Sequence, residues 1–147
     1  MKRRHAIMVA VILASLLALT VNGWCAQEPL KESNIKTTQS VEGGKVCGAK
    51  ITVESSNGGP GIVKMQADYQ PGTILLATAS LTVEKGYYKV ELLNNGKTSL
   101  VMEAKDGKII KGTGRMSANT DGDVVYRVTS KNAKNSCLEL SLKPVEK

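Results

Sequence analysis

A period of two in the apolar residues runs through the chain from Lys45 onward. Apolar and polar side chains alternate in seven short segments, and an eighth, near residues 109–116, is interrupted by Gly112 and Gly114. Such alternation puts one set of side chains on each face of a β-strand, and no stretch of useful length repeats with the 3.6-residue period of a helix. The residues predicted to face a core are Cys47, Ala49, Ile51, Val53, Val63, Met65, Ala67, Tyr69, Leu75, Ala77, Ala79, Leu81, Val83, Tyr88, Val90, Leu92, Leu100, Met102, Ala104, Val124, Tyr126, Val128, Leu138, Leu140 and Leu142.

Turn-forming residues separate these segments at spacings of roughly 10–15 residues, which leaves no room for the helical crossovers of parallel strands. We therefore predict an all-β fold of about seven or eight strands, an antiparallel β-sandwich or a small β-barrel, as one domain over residues 45–147. Asn-Gly and Asp-Gly pairs tolerate the positive φ angles of tight hairpins. The predicted turns are residues 57–61, Gln70-Pro71-Gly72, Lys85-Gly86, Asn95-Gly96, Asp106-Gly107 and Asp121-Gly122.

In size and strand count the predicted domain resembles an immunoglobulin-like sandwich, as architecture alone. A true immunoglobulin domain carries a Trp between its bridging cysteines, whereas the only Trp of this chain is Trp24. Cys47 and Cys137 lie near the two ends of the domain, and we predict a disulfide bond between them; two unpaired buried thiols are the alternative. In the chain-entropy model, a bond that closes a loop of about 90 residues stabilises the fold by roughly 4–5 kcal/mol. Because Cys137 is out of phase with Leu138, the bond is expected at a strand entrance or an edge.

The N-terminus predicts export. Lys2, Arg3 and Arg4 precede an apolar run from Ala6 to Leu19. As a helix this run is about 21 Å long, short of the roughly 30 Å that a membrane span needs, so we interpret residues 1–26 as a cleavable signal peptide rather than a retained anchor. Cleavage after Ala26 leaves two cysteines in the mature chain, whereas cleavage after Gly23 leaves Cys25 as an odd thiol. A lipid-modified Cys25 is a third interpretation.

Residues 27–44 are polar and end in Gly43-Gly44, which predicts a flexible linker. The full chain has a net charge of +7, and loss of Lys2, Arg3 and Arg4 leaves 17 basic and 13 acidic residues. The basic residues are scattered singly instead of forming a stripe interleaved with aromatics, so we predict no nucleic-acid partner. The expected membrane contact is limited to the export signal.

The residues that carry most enzyme chemistry are missing from the predicted domain. The only histidine, His5, lies in the signal peptide, which removes His-based triads, Cys-His dyads and most zinc sites. The run from Asn119 to Asp123 has acidic and amide side chains, but the spacing of its glycine does not fit a calcium-binding EF-hand loop. We interpret it as a hairpin turn whose side chains bond the local backbone. We predict no catalytic residue, no metal and no cofactor.

Two functions fit these observations. The first is a non-enzymatic, exported binding or structural module of the bacterial cell envelope, in the periplasm or outside the cell. It would bind a protein or another envelope component through a sheet face, edge strands or loops. The alternative is a small secreted enzyme inhibitor that uses a glycine-rich loop. The candidate interaction loop consists of Asn57, Gly58, Gly59, Pro60 and Gly61.

Overall fold

In residues 28–146, which the computed structural model describes, the sheet is antiparallel throughout. The all-β prediction is therefore confirmed, and the sheet does not close into a barrel. No helix in the described part of the chain is long and apolar enough to cross a membrane. The predicted signal peptide, residues 1–26, lies outside the described residues. The strands are β1 (Lys31–Ser33), β2 (Lys36–Glu42), β3 (Lys45–Met65), β4 (Ile74–Asn94), β5 (Lys97–Lys105), β6 (Ile109–Ser117) and β7 (Val124–Pro144).

Three strands of 21 residues each, β3, β4 and β7, form the frame of the molecule. β7 lies between β3 and β4, and each outer strand carries two short strands in succession along its free side. The long strands bend near their middle, so that one sheet folds over itself into two layers around one apolar core. Layer A has the order β2-β3-β7-β4-β6 and layer B the order β1-β3-β7-β4-β5.

The bend follows a row of β-bulges that crosses the three long strands side by side. The register of β3 against β7 shifts between Ser56 and Gly61, and that of β4 against β7 shifts between Lys85 and Tyr87. An extra residue in one strand bends it and increases its twist. Gly86 has φ +82°, and a Cβ there would collide with the backbone of Asn132. Glycine is required at this point because the strands approach too closely for a side chain.

The predicted strand segments are correct in position, but six of them are joined in pairs. The glycine-containing residues 57–61 and Lys85-Gly86 lie inside β3 and β4, so the prediction that they connect separate strands is wrong. Local sequence cannot distinguish a bulge from a turn, because both use residues with positive φ. Asn95-Gly96 does form a tight hairpin, since Asn94 pairs with Lys97. Asp106-Gly107 instead crosses from β5 in layer B to β6 in layer A.

The prediction that residues 27–44 form a flexible linker is wrong where the structure shows strands, at Lys31–Ser33 and Lys36–Glu42. β2 pairs with β3 from Lys36 to Glu42, and β1 pairs with β3 opposite residues 55–57. Leu30 packs against the core. The segment looks like a linker because all seven β2 side chains are exposed. Backbone pairing, rather than side-chain burial, therefore holds β2 on the sheet.

The core contains aliphatic, methionine and tyrosine side chains, and the chain has no Phe. Most residues predicted to face inward are buried, and Tyr88 rather than its neighbour Tyr87 faces the core. The exceptions are Val63 and Leu100, which are half-buried against the core, and Cys47. A bulge between β2 and β3 opposite Ser40 and Val41 makes Val46 the buried residue and leaves Cys47 half-exposed. The largest fully buried side chains are Leu75, Leu81, Leu92, Met102, Met116, Leu142, Val83, Val90, Val124 and Val128.

Candidate functional site: the open edge of the sandwich

One side of the sandwich, which we call the closed edge, is sealed by β5 and β6. Leu100 of β5 packs over β6 where Gly112 and Gly114 have no side chains, and a Cβ on Gly114 would lie 2.7 Å from Leu100 Cβ. Arg115 N–H donates a hydrogen bond to Ser99 Oγ at 3.2 Å. The β4–β6 register shows no shift, so Gly112 and Gly114 form no bulge in β6 and instead make room for a neighbour.

The opposite side, which we call the open edge, is formed by β1, β2 and the second half of β3. Among the described residues β2 pairs only with β3, so its outer side presents unpaired backbone N–H and C=O groups. A register shift between Ser40 and Val41 limits the regular part of this edge to residues 36–40. An unpaired strand edge is a template on which another strand can add.

The second half of β3 provides another free backbone edge, in layer B. β1 stops pairing with β3 at Asn57, and a last contact runs from Gly59 N–H to the carbonyl of Glu28 at 2.8 Å. Beyond it, Leu30 covers Gly61. From residue 62 to 65, β3 pairs within the described residues with β7 alone. The open edge therefore has one free strand edge in each layer.

A slot of about 430 Å³ lies between these two free strand edges. Ile51, Val63, Met65 and Tyr126 line its inner part, and Thr37, Gln39 and Gln66 lie at its rim. Gln39 Nε2 donates to the carbonyl of Gln66 at 2.9 Å and so links the layers at one end. Apolar walls with a few convergent polar groups are typical of binding sites.

Glu32 of β1 also lines the slot and supplies a carboxylate. Its Oε1 accepts a hydrogen bond from Tyr88 Oη at 2.6 Å and one from Ser56 Oγ at 3.3 Å, and Ser56 in turn bonds Ser130 at 2.7 Å. Burial, and secondarily the Glu32 charge, raises the pKa of Tyr88 and of Tyr126 far above 10. Both tyrosines therefore remain protonated at neutral pH, and Tyr88 acts as a hydrogen-bond donor to the carboxylate.

Exposed apolar side chains are concentrated around the open edge. Four large apolar residues of the described chain are more than half exposed, and three of them are here: Ile35 at 54%, Val41 at 61% and Ile62 at 56%. The fourth, Ile109, lies at the start of β6. Apolar groups beside unpaired backbone indicate an interaction surface.

The predicted Cys47–Cys137 disulfide is wrong, because both residues are free thiols in the structure. Cys137 lies opposite Thr52, and Cys47 is five residues away from Thr52 along β3. At about 3.3 Å per residue the two are about 17 Å apart, whereas a disulfide requires Cα atoms about 4.4–6.8 Å apart. Burial raises the pKa of the Cys137 thiol, with Lys50 opposing this effect.

The candidate loop, residues 57–61, does not project from the surface. It is the bulged centre of β3, Gly59 is buried, and the Asn57 side chain accepts a hydrogen bond from Asn132 N–H at 3.0 Å. The interaction role of these residues stays a prediction. The turn predicted at Asn119 is confirmed, since its Oδ1 accepts hydrogen bonds from the N–H groups of Asp121 and Asp123.

Sequence reasoning missed Glu32 and β2, although a signal for them exists. Gly43-Gly44 stands directly before β3, and a two-residue Gly-Gly loop between β-forming runs is typical of a hairpin. Both glycines have positive φ, and Glu42 pairs with Lys45 across them. The preceding run contains Ile35, Thr37, Thr38 and Val41, which favour strands.

Comparison with known proteins gives no family: no family model and no curated protein matches the chain. Several solved structures are similar to this chain at low sequence identity. The CBM22-1 xylan-binding domain of Paenibacillus barcinonensis Xyn10C is 13% identical with a TM-score of 0.41, over 80% of this chain and 83% of that one.

Two further structures are similar to the same degree. A subunit of the Bacillus endospore appendages, described as disulfide-linked pili, is 11% identical with a TM-score of 0.43, over 79% of this chain and 95% of that one. TmCBM61, solved with β-1,4-galactotriose, is 10% identical with a TM-score of 0.41, over 79% and 87%. All three TM-scores lie below 0.5, so these likenesses do not indicate what this chain binds.

Proposed function

We propose that this protein is a non-enzymatic binding module of the bacterial cell envelope that receives an extended segment of a partner protein along its open edge. The observation that carries the proposal is the pair of free strand edges, residues 36–40 of β2 and 62–65 of β3, on either side of an apolar slot. The export of the chain to the periplasm or the outside, through the predicted signal peptide, is part of the proposal.

Backbone pairing supplies the attraction in this arrangement. A partner strand that adds to β2 satisfies N–H and C=O groups that otherwise face water, and its alternate side chains point towards the slot. Of the exposed apolar residues at this edge, Ile35 lines the slot and is placed to cover those side chains. The inward positions of β2 are Thr37 and Gln39, opposite Ile51 and Ala49. Gln39 closes only one end of the slot through its hydrogen bond to Gln66, and Thr37 is exposed, so the slot stays open to a partner.

The chemistry of the slot supports binding rather than catalysis. Its ionisable groups include Glu32 and Tyr126, and Tyr88 adjoins Glu32. The raised pKa values of the tyrosines oppose their use as bases at neutral pH. The inhibitor alternative required a projecting loop at residues 57–61. No observation favours it, since Gly59 is buried within β3.

Site-specific photo-crosslinking in the native host tests the proposal. A photoreactive amino acid replaces Thr38 on β2 or, as the matched control, Thr113 on β6; both lie on the outer face of layer A at its two edges. We expect a discrete adduct from position 38 and none from position 113. Peptide mapping of the adduct is expected to find an extended partner segment.

Proline substitution in β2 tests whether the adduct from position 38 depends on backbone pairing between the partner and β2. Lys36→Pro and Thr37→Pro are made in the chain that carries the photoreactive residue at position 38. They are neighbours, so one removes an N–H that pairs with β3 and the other removes an N–H that faces solvent. The variant that keeps wild-type stability is expected to lose the adduct. Equal adducts from both edges, or an adduct that survives this proline, would show that strand addition at β2 is not the function.

A further inference from the structure

The carboxylate of Glu32 lacks a cationic partner among the described residues. The ion pairs in residues 28–146 are Lys50–Glu139 and Arg127–Glu91, and both lie on the outer faces of the layers. Two hydroxyl groups hold Oε1, from Tyr88 and Ser56, and nothing in the described residues donates a hydrogen bond to Oε2. Lys64 lines the same slot but makes no ion pair with Glu32.

A half-buried carboxylate in this position favours a positive charge from outside. Burial removes part of its hydration, and a cation that enters the slot restores the lost electrostatic stabilisation. The hydroxyl donors fix the orientation of the carboxylate before a partner arrives. An acidic side chain in the same place would be repelled.

Resting on the proposed function, we propose that the partner segment carries one Lys or Arg that enters the slot and pairs with Glu32 Oε2. Side chains two residues before and after it lie against Ile51, Val63 and Tyr126 and are apolar. Ile35, at the mouth of the slot, packs on the aliphatic stem of the basic side chain. The open edge therefore selects a basic residue within an alternating apolar strand.

The test uses nine-residue peptides of alternating Thr and Val in which a single Lys is moved through every position, and Gln or Glu replaces Lys in matched peptides. Binding to the whole mature protein is measured by calorimetry or fluorescence anisotropy. We expect Lys to strengthen binding about tenfold over Gln at alternate positions, equivalent to about 1.4 kcal/mol. Glu at the same positions is expected to weaken binding.

Two variants separate the slot from the general charge of the edge. Glu32→Gln keeps the shape and the acceptor for Tyr88, and it is expected to abolish the preference for Lys. Glu28→Gln removes the same charge from an exposed carboxylate that holds Asn57 at this edge, and it is expected to retain the preference. The Glu-for-Lys peptides give the same information on the wild-type protein if Glu32→Gln does not fold.

The outcomes distinguish this inference from the proposed function. If Lys and Gln peptides bind equally, the basic preference is wrong and strand addition stands. If no peptide binds the wild-type protein, both are wrong. A Lys preference that survives in Glu32→Gln also overturns the inference. So does a dimer of the protein alone that Glu32→Gln dissociates, because a second copy of the chain would then occupy the slot.

Discussion

The closed and open edges of the sandwich are built from equivalent short strands, yet only one of them is sealed. On the closed edge, the inward positions of β6 include Gly112 and Gly114, and Leu100 of the other layer fills the space above them. On the open edge, the corresponding inward positions of β2 are the polar Thr37 and Gln39. Two side chains on each strand therefore decide whether the layers meet or leave a slot.

The largest expected difference between the edges comes from placing Val at equivalent inward positions. Gly114→Val puts new atoms against Leu100 Cβ, and overpacking of this kind costs about 1–3 kcal/mol in the free energy of unfolding. Gln39→Val loses one exposed hydrogen bond and gains apolar contact with the slot, so its change is expected to stay within about 1 kcal/mol.

Urea denaturation of the two variants and the wild type measures this difference. Leu100→Ala combined with Gly114→Val is the control, because removing the leucine side chain gives the valine room. If Gly114→Val were no more destabilising than Gln39→Val, the closed edge would not be packed as described.

A smaller difference is expected from polar groups. Glu32→Ala leaves the hydroxyl of buried Tyr88 without its acceptor, which costs about 1–3 kcal/mol. Ser99→Ala on the closed edge removes hydrogen bonds to the backbone of Arg115 and Leu92. Water can replace them because Ser99 is exposed, so the substitution is expected to cost less than about 1 kcal/mol. Glu32→Gln should restore most of the loss. Thermal unfolding compares the three variants, and equal losses at Glu32 and Ser99 would contradict the assigned network.

The two tyrosines beside Glu32 contribute to the pH dependence of stability, together with Tyr69 and Tyr87, whose pKa values burial also raises. Their pKa values are raised in the folded state, so the folded protein holds protons that the unfolded chain releases above about pH 10. Stability is therefore intact below pH 10 and falls above it, by up to about 1.4 kcal/mol per pH unit for each tyrosine. Tyr126→Phe is expected to make the fall shallower. A slope that is the same in this variant and the wild type would contradict the burial of Tyr126.

The smallest effects are expected at the thiols. Because Cys47 and Cys137 form no bond with each other, Cys47→Ser and Cys137→Ser should each change the unfolding free energy by less than about 1 kcal/mol. Intact mass with and without reductant should show no loss of an intramolecular bond between them. A gain of 2 Da on reduction of a chain that lacks Cys25 would contradict the register of β3 and β7.

The sequence predicts the faces of the strands well and their connections poorly. Leu75 to Val83 and Leu138 to Leu142 are buried at every second residue as expected, because side-chain burial repeats with the period of the strand. Glycine at positions 59 and 86 fits a turn or a bulge equally well, because both use a positive φ angle. Only the pairing of β3 and of β4 with β7 shows that these glycines lie in bulges.

The site was harder to predict than the core. β2 carries no apolar stripe, and Glu32 meets Tyr88 across 56 residues of sequence. The disulfide prediction failed for a related reason, since residues at the two ends of a domain can lie in adjacent strands and still be several residues apart in register.

Amide hydrogen exchange with and without a bound peptide tests the central claim most directly. The probe is a Thr-Val peptide with one Lys at the position that binds tightest, at a concentration that saturates the protein. We predict slower exchange in residues 36–40 of β2 and 62–65 of β3, with β5 and β6 unchanged. Slower exchange in β5 and β6, or none at the open edge under saturation, would contradict the account.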